Sequence, residues 1–306
     1  MMKEKFTLAK INGLASDSEE FVTACTQAYR SRVAETAKTI FEAGNKKIVM
    51  LAGPSSSGKT TTAALLSKEF ELLGARAYTV SLDDFYFSRS IGRYPLDENG
   101  KPDYESVDAL DLELMHRCFS ELIGKGESLL PHFDFTVGER IDESRKITLS
   151  ENDIIIVEGL HALNPAITDK LPAENLFKIY VSVSSRVYEN EETVLLSKRE
   201  LRFIRRMVRD YLFRAMPPHR TFEIWESVMR GEDKYLFPFE ALADLKLNSF
   251  HPCEPCVLSE KAVKLLGEVE GEFSEKADVL KDKLNLFKKL DCSILPQDSL
   301  LREFTG

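Results

Sequence analysis

The sequence predicts an α/β fold, a central parallel sheet with helices on both faces, and three observations predict it. Short apolar runs alternate with stretches of helical spacing, the pattern of strands buried on both faces and joined by crossover helices. A glycine-rich turn joins the first apolar run to a helix-compatible stretch. No run approaches the ~18 to 20 apolar residues of a membrane span, and the five cysteines among 306 residues are scattered and odd in number, which argues against a disulfide-built fold.

Taken in order, residues 17–43 place Phe21, Cys25, Ala28, Ala37, Ile40 and Phe41 at roughly helical spacing and stop at Gly44, which predicts a leading helix. The run 47–52 is the first strand, and the stretch 59–73, closed by Gly74, is the helix after it. Further strands are expected at 76–82, 153–158, 176–183 and 243–247, and further helices at 108–125, 198–214 and 219–231. Residues 84–106, rich in Gly, Pro, Asp, Asn and Ser, form a long excursion, and long loops in compact domains often carry function. The last fifty residues alternate Glu and Lys as a solvated helical tail does. The expected division is a helical lead-in over 1–45, a main domain over 46–258 and a helical tail over 259–306, packed on that domain or extending from it.

The turn reads Gly53-Pro54-Ser55-Ser56-Ser57-Gly58-Lys59-Thr60, which matches G-x-x-x-x-G-K-[ST] after a strand and before a helix. In such a loop the glycines let the backbone fold round a phosphate, the amides and helix N-terminus supply partial positive charge, Lys59 reaches the outer phosphates and the Thr60 hydroxyl ligates magnesium. Thr61 continues the set. With 41 basic and 50 acidic residues the net charge is −9, so the global field repels polyanions and a phosphate site must be built locally. Neither nucleic acid nor membrane is expected as a partner. The start of the chain lacks the apolar core of a signal peptide, and a cytoplasmic location is expected.

A magnesium site needs an acid beside the loop. Asp153 and Glu158 bracket one strand, about 16 Å apart at 3.3 Å per residue. Ligands in such sheets bind at the carboxyl ends of strands, so Glu158 is the candidate. The strand 76–82 ends in Asp83-Asp84-Phe85-Tyr86, where Asp83 could face the γ-phosphate and take a proton from a bound hydroxyl. Residues 198–214 hold seven basic and two acidic side chains, with Arg202, Arg205, Arg206 and Arg209 on one helical stripe. Guanidinium groups fork onto phosphate oxygens, and a small-molecule kinase needs such a cationic lid. The N-K-x-D sequence of guanine-nucleotide switches is absent after the loop.

The ordered set GPSSSGKTT, SLDDFY, PDYESVDALDLE, LPHFDFTVGER, IIIVEGLHALN and RFIRRMVRD resembles the uridine kinase and phosphoribulokinase family of P-loop kinases. The resemblance implies an α/β P-loop NTPase, nucleoside-monophosphate-kinase-like, with a helical lid and, in this chain, a helical C-terminal tail. It implies ATP and Mg2+ as cofactors. Asp83 then matches the family's acidic base in D-x-F-Y, with Tyr86 beside it, Glu158 the acid ending the E-G strand, and Arg205, Arg206 and Arg209 the lid arginines. Where uridine kinases read F-D-H-P-D-A-F-D this chain has Tyr104-Glu105-Ser106-Val107, so Glu105 stands for the acid that grips the ribose. Where they read Y-D-F-x-x-H-x-R it has Phe133 for the tyrosine and Gly138 for the histidine, with Arg140 kept.

The expected activity is therefore transfer of a phosphoryl group from ATP to a hydroxyl of a small metabolite, a nucleoside or sugar-like acceptor, with a phosphosugar or pantothenate-like alcohol as alternative acceptors. A regulatory protein that holds ATP without turnover is the alternative from another class. The C-x-x-C at Cys253 and Cys256 lacks a second ligand pair and reads as incidental, and His161 as a packing residue. The sequence is compatible with a homo-oligomer and does not specify one.

Overall fold

The computed structural model describes residues 5–96, 98 and 100–306. The chain opens with β1 (Phe6–Thr7), α1 (Leu8–Leu14) and the long helix α2 (Ser18–Glu42), whose buried stripe Phe21, Cys25, Tyr29, Val33, Ala37 and Ile40 recurs every three to four residues. β2 (Ile48–Ala52) is buried at every position. α3 (Lys59–Leu72) leads to β3 (Ala77–Ser81), and α4 (Leu112–Lys125) to the hairpin β4 (Glu127–Asp134) and β5 (Glu139–Thr148). Next come β6 (Ile154–Gly159), the single turn α5 (Pro165–Thr168), β7 (Leu176–Ser182), and the short pair β8 (Val187–Tyr188) and β9 (Val194–Leu196). The lid helix α6 (Lys198–Arg214), α7 (Pro218–Tyr235), β10 (Leu245–Asn248), α8 (Glu254–Leu266), α9 (Ser274–Asn285) and α10 (Arg302–Thr305) complete the chain.

Five strands form one parallel sheet in the order β10-β7-β2-β6-β3. Alternation along β2 divides the interior: Val49 and Leu51 join a core with α2, α3, α6, α8 and α9, while Ile48, Met50 and Ala52 join a second core with α4. The strand before the phosphate loop is thus central, and the chain leaves it toward β3 on one side and returns to β7 on the other. The carboxyl end of β2 is the switch point where ligands bind in open sheets.

The expected strands and helices all form, most with ends moved by a few residues. The helix expected from 108 begins at Leu112, because Ser106 caps a 3-10 turn over Val107–Ala109 and Asp111 caps the helix proper. The β4–β5 ribbon has no counterpart among the expected elements. Most of β5 is exposed, with only Ile147 buried, so no apolar alternation marks it. The expected boundary at 258 falls inside α8, and Leu265, Leu280, Leu284, Leu290, Leu300 and Phe304 of the expected tail share the core of α2 and α3. Cys253 and Cys256 open α8 and are buried in that core with Cys25.

Candidate active site

The phosphate loop is set by close backbone approach. A Cβ at Gly53 would lie 2.1 Å from the Val181 carbonyl oxygen, and Gly58 has φ +88°, which an L side chain rarely adopts. Ser56 also takes positive φ, at 56°. Lys59 Nζ donates to the carbonyls of Gly53 (2.8 Å) and Pro54 (3.3 Å), so its charge is held over the loop. Ser55, Ser56, Lys59 and Thr60 line a cleft of about 390 Å³, as do Asp83, Tyr86, Glu105, Phe133, Glu158, Arg206 and Arg209. Ser57 and Gly58 lie beneath this surface, Ser57 fully buried. Thr61 is already engaged: its amide (3.3 Å) and hydroxyl (2.6 Å) donate to Glu303 of α10.

The two adjacent aspartates separate cleanly. Asp83 sits in the 3-10 turn after β3, its amide donating to Ser81 Oγ, and its carboxyl faces the cleft. Burial, reinforced by the neighbouring Glu158 carboxylate and opposed by Lys59, pushes its pKa up to about 7. Asp84 instead accepts from the Phe133 amide (3.1 Å) and from His132 Nδ1 (3.0 Å), pinning the turn to β4. Glu158 ends β6 beside Ser81, in register with Leu51 of β2. Asp153, at the other end of that strand, caps backbone amides of Arg76 and Ser150. Glu105 is held above its ordinary pKa by burial, against the pull of Arg206. Gly231 of α7 gives it room, since a Cβ there would stand 2.9 Å from it.

The arginine stripe divides in two. Arg206 and Arg209 line the cleft, joined by Arg214, and the buried Asp210 gathers all three. Arg206 Nη1 reaches Ser55 Oγ at 2.6 Å. Arg205, expected among the lid arginines, does not line the cleft: it has no exposed surface, pairs with the equally buried Glu254, and donates to the Ser249 carbonyl (2.8 Å) and the Ser56 carbonyl (3.4 Å). Arg202 is likewise buried against Glu232, whose carboxylate also accepts from the Ser55 amide (2.8 Å). The physical reason is that each of these two charges meets a buried carboxylate, Glu232 or Glu254, that matches it inside the core. Arg140 also departs from expectation. It pairs with Asp111 (3.1 Å) and Asp142 (2.7 Å) behind Phe87, outside the cleft lining.

The cleft carries more rings than the sequence patterns assign to it. Tyr86 meets Phe133 and Phe135 edge-on, and Tyr94 meets Tyr104 at 4.8 Å between centroids. Arg89 lies over Tyr104 and fills the space at Gly138, where a Cβ would meet its Cδ at 2.5 Å. Three tyrosines and an arginine in a polar excursion were the available signal. His161 is buried beside Tyr235, and desolvation lowers its pKa to about 4, so it is neutral packing.

The sequence matches the Phosphoribulokinase / Uridine kinase family over residues 48–253. The chain belongs to this family. It is 26% identical to uridine-cytidine kinase C of Dictyostelium discoideum over 211 residues, 68% of this chain but 40% of that longer protein. It is 27% identical to the uridine kinase of Macrococcus caseolyticus over 65% of this chain and 85% of that one. A solved structure from Bacillus stearothermophilus, described as a possible uridine kinase, aligns with TM-score 0.47 at 19% identity, over 71% of this chain and 98% of that one. The chain is an ATP-dependent small-molecule kinase. The family match ends before α8, so α8, α9, α10 and the contacts of Leu300 and Glu303 with Gly58 and Thr61 lie outside it.

Proposed function

We propose that the cleft transfers the γ-phosphoryl group of magnesium-ATP to a hydroxyl of a nucleoside or sugar-like acceptor. The observation that carries the reading is the position of Asp83, with its raised pKa, between the phosphate loop and the aromatic acceptor end. The Lys59 charge and the loop amides hold the phosphates. Thr60 and Glu158 are the residues that would hold Mg2+, and the donor set fits: a hydroxyl and a carboxylate in one cleft with Asp83, whose pKa Glu158 raises and Lys59 opposes. Bound there, the ion would neutralise charge on the transferring group. Asp83 orients the acceptor hydroxyl and takes its proton, Glu105 grips neighbouring hydroxyls, and Arg206, Arg209 and Arg214 close over the phosphoryl group and exclude water.

The acceptor rests against Tyr86, Phe133 and Phe135. Phe133 offers no phenol hydroxyl and Gly138 no imidazole, and each missing hydrogen bond in a desolvated site is worth on the order of 1 to 3 kcal/mol. Weak uridine preference follows. The chemistry belongs in the cytoplasm, and no described helix is long and apolar enough to cross a membrane.

The test is kcat/KM with magnesium-ATP for uridine, cytidine, a purine nucleoside, a base-free sugar, a phosphosugar and pantothenate, beside Asp83→Asn. We expect acceptor-dependent ADP release, no hundredfold uridine preference, and a kcat lowered by about 10²- to 10⁴-fold in the variant with ADP affinity kept. Tight ATP binding with no turnover on any acceptor would establish the regulatory alternative.

A further inference from the structure

Residues 298–306 run back past the phosphate loop, which Leu300 and Glu303 touch. Leu300, Leu301 and Phe304 are 0 to 1% exposed. Leu300 packs under Gly58, where a Cβ would meet its Cδ1 at 2.6 Å, and Phe304 lies 5.0 Å from the Arg205 guanidinium. Arg30 pairs with Asp298, and Thr26 Oγ1 bonds Ser299 Oγ at 3.2 Å. This segment is therefore anchored by its apolar side chains and by α2, and only the half-buried Glu303 of α10 points to the first turn of α3.

We propose that Glu303 is a residue that sets nucleotide affinity, a fixed carboxylate competing with the phosphate of the nucleotide for the Thr61 end of the loop. The inference rests on the nucleotide-binding reading of the loop. Its first-turn amides and the helix dipole form one anion site. The Thr61 amide and hydroxyl, the donors after Lys59 and Thr60, are taken by Glu303 Oε2. A phosphate arriving there must displace that oxygen and then stand beside its charge, because the anchored backbone does not let the side chain withdraw far. Two like charges about 4 Å apart at a protein surface repel strongly enough to change affinity about tenfold. The consequence is weaker ATP and ADP binding and faster release of ADP. Glu303 lies beyond residues 48–253, outside the family match.

The test measures ADP affinity by calorimetry and the nucleotide-free melting temperature for the wild type, Glu303→Gln and Glu303→Ala. Glu303→Gln keeps the shape and an acceptor oxygen, so the fold stays, and ADP should bind about tenfold more tightly. The gain should shrink as salt rises, and steady-state kinetics should show a lower KM for ATP with kcat unchanged or reduced. Glu303→Ala, which also removes the acceptor, should tighten ADP binding too even if it lowers the melting temperature. Unchanged or weaker ADP affinity in both variants would overturn the proposal and leave Glu303 as a helix cap. No ADP binding by the wild type would instead sink the nucleotide reading itself.

Discussion

One stripe of α6 carries two pairs of arginines to opposite ends. Arg202 and Arg205 are buried, each matched to a buried carboxylate, Glu232 or Glu254, and each hydrogen-bonded to a carbonyl of the phosphate loop. Arg206 and Arg209 keep part of their surface in the cleft and share one acid, Asp210. The difference teaches that a charge stripe has two uses within one helix. The buried pairs fix where the loop backbone lies, and the under-matched arginines present positive charge to whatever enters. Burial also marks the split chemically, since desolvation lowers the Arg206 pKa and the nearby Arg209 and Arg214 add to this, against Asp210.

The comparison breaks first at Arg205. Arg205→Ala leaves Glu254 buried without its counter-charge, which costs about 3 to 5 kcal/mol, and denaturant unfolding should show that loss. A variant of wild-type stability with slowed turnover would return Arg205 to the lid. Next in size, Arg206→Ala should lower kcat by about 10²- to 10³-fold, the range for a removed preorganised donor, while the unfolding midpoint barely moves.

The acids of the cleft sharpen the contrast, because they are strained where the core acids are paired. The folded pKa of Asp83 is about 7, above its ordinary 3.8. Between pH 4 and 7 the folded state keeps a proton that the unfolded state has released, so this group's stabilisation is present below pH 4 and lost as pH rises through 7. Asp83→Asn should therefore raise the melting temperature of the nucleotide-free protein by a few degrees at pH 8 and not at pH 4. A wild-type rate on limiting acceptor that falls as pH drops through about 7 is the kinetic counterpart. Smallest of all, Arg199→Ala on the exposed side of α6 removes only the surface pair with Asp233, worth at most about 1 kcal/mol, and should leave kcat unchanged.

The first half of the site was legible because its chemistry is local. The order Gly53 to Thr60 fixes a loop, the apolar run before it a buried strand, and the periodicity of 198–214 the helix that carries the arginines. Asp83 and Glu158 follow from strand polarity alone. Arg140 lies away from its expected place because Asp111 and Asp142, twenty-nine and two residues away, outcompete the cleft for its charge. Arg214, Arg89, Tyr94 and Tyr104 escape a sequence reading because nothing within a turn or strand of them signals where they point.

The sequence by itself determined the parallel α/β class, the phosphate loop, the acid that ends each neighbouring strand and the existence of a cationic helix, since each depends on residues within about ten positions of one another. Only the tertiary structure decided which arginines face the cleft, that the aromatic excursion lines it, and that residues 300–303 return to the loop. Those outcomes turn on burial and on partners distant in the chain, Arg205 with Glu254 across 49 residues and Thr61 with Glu303 across 242. A charge finds its partner through the packing of the whole core, and no local pattern encodes that distance.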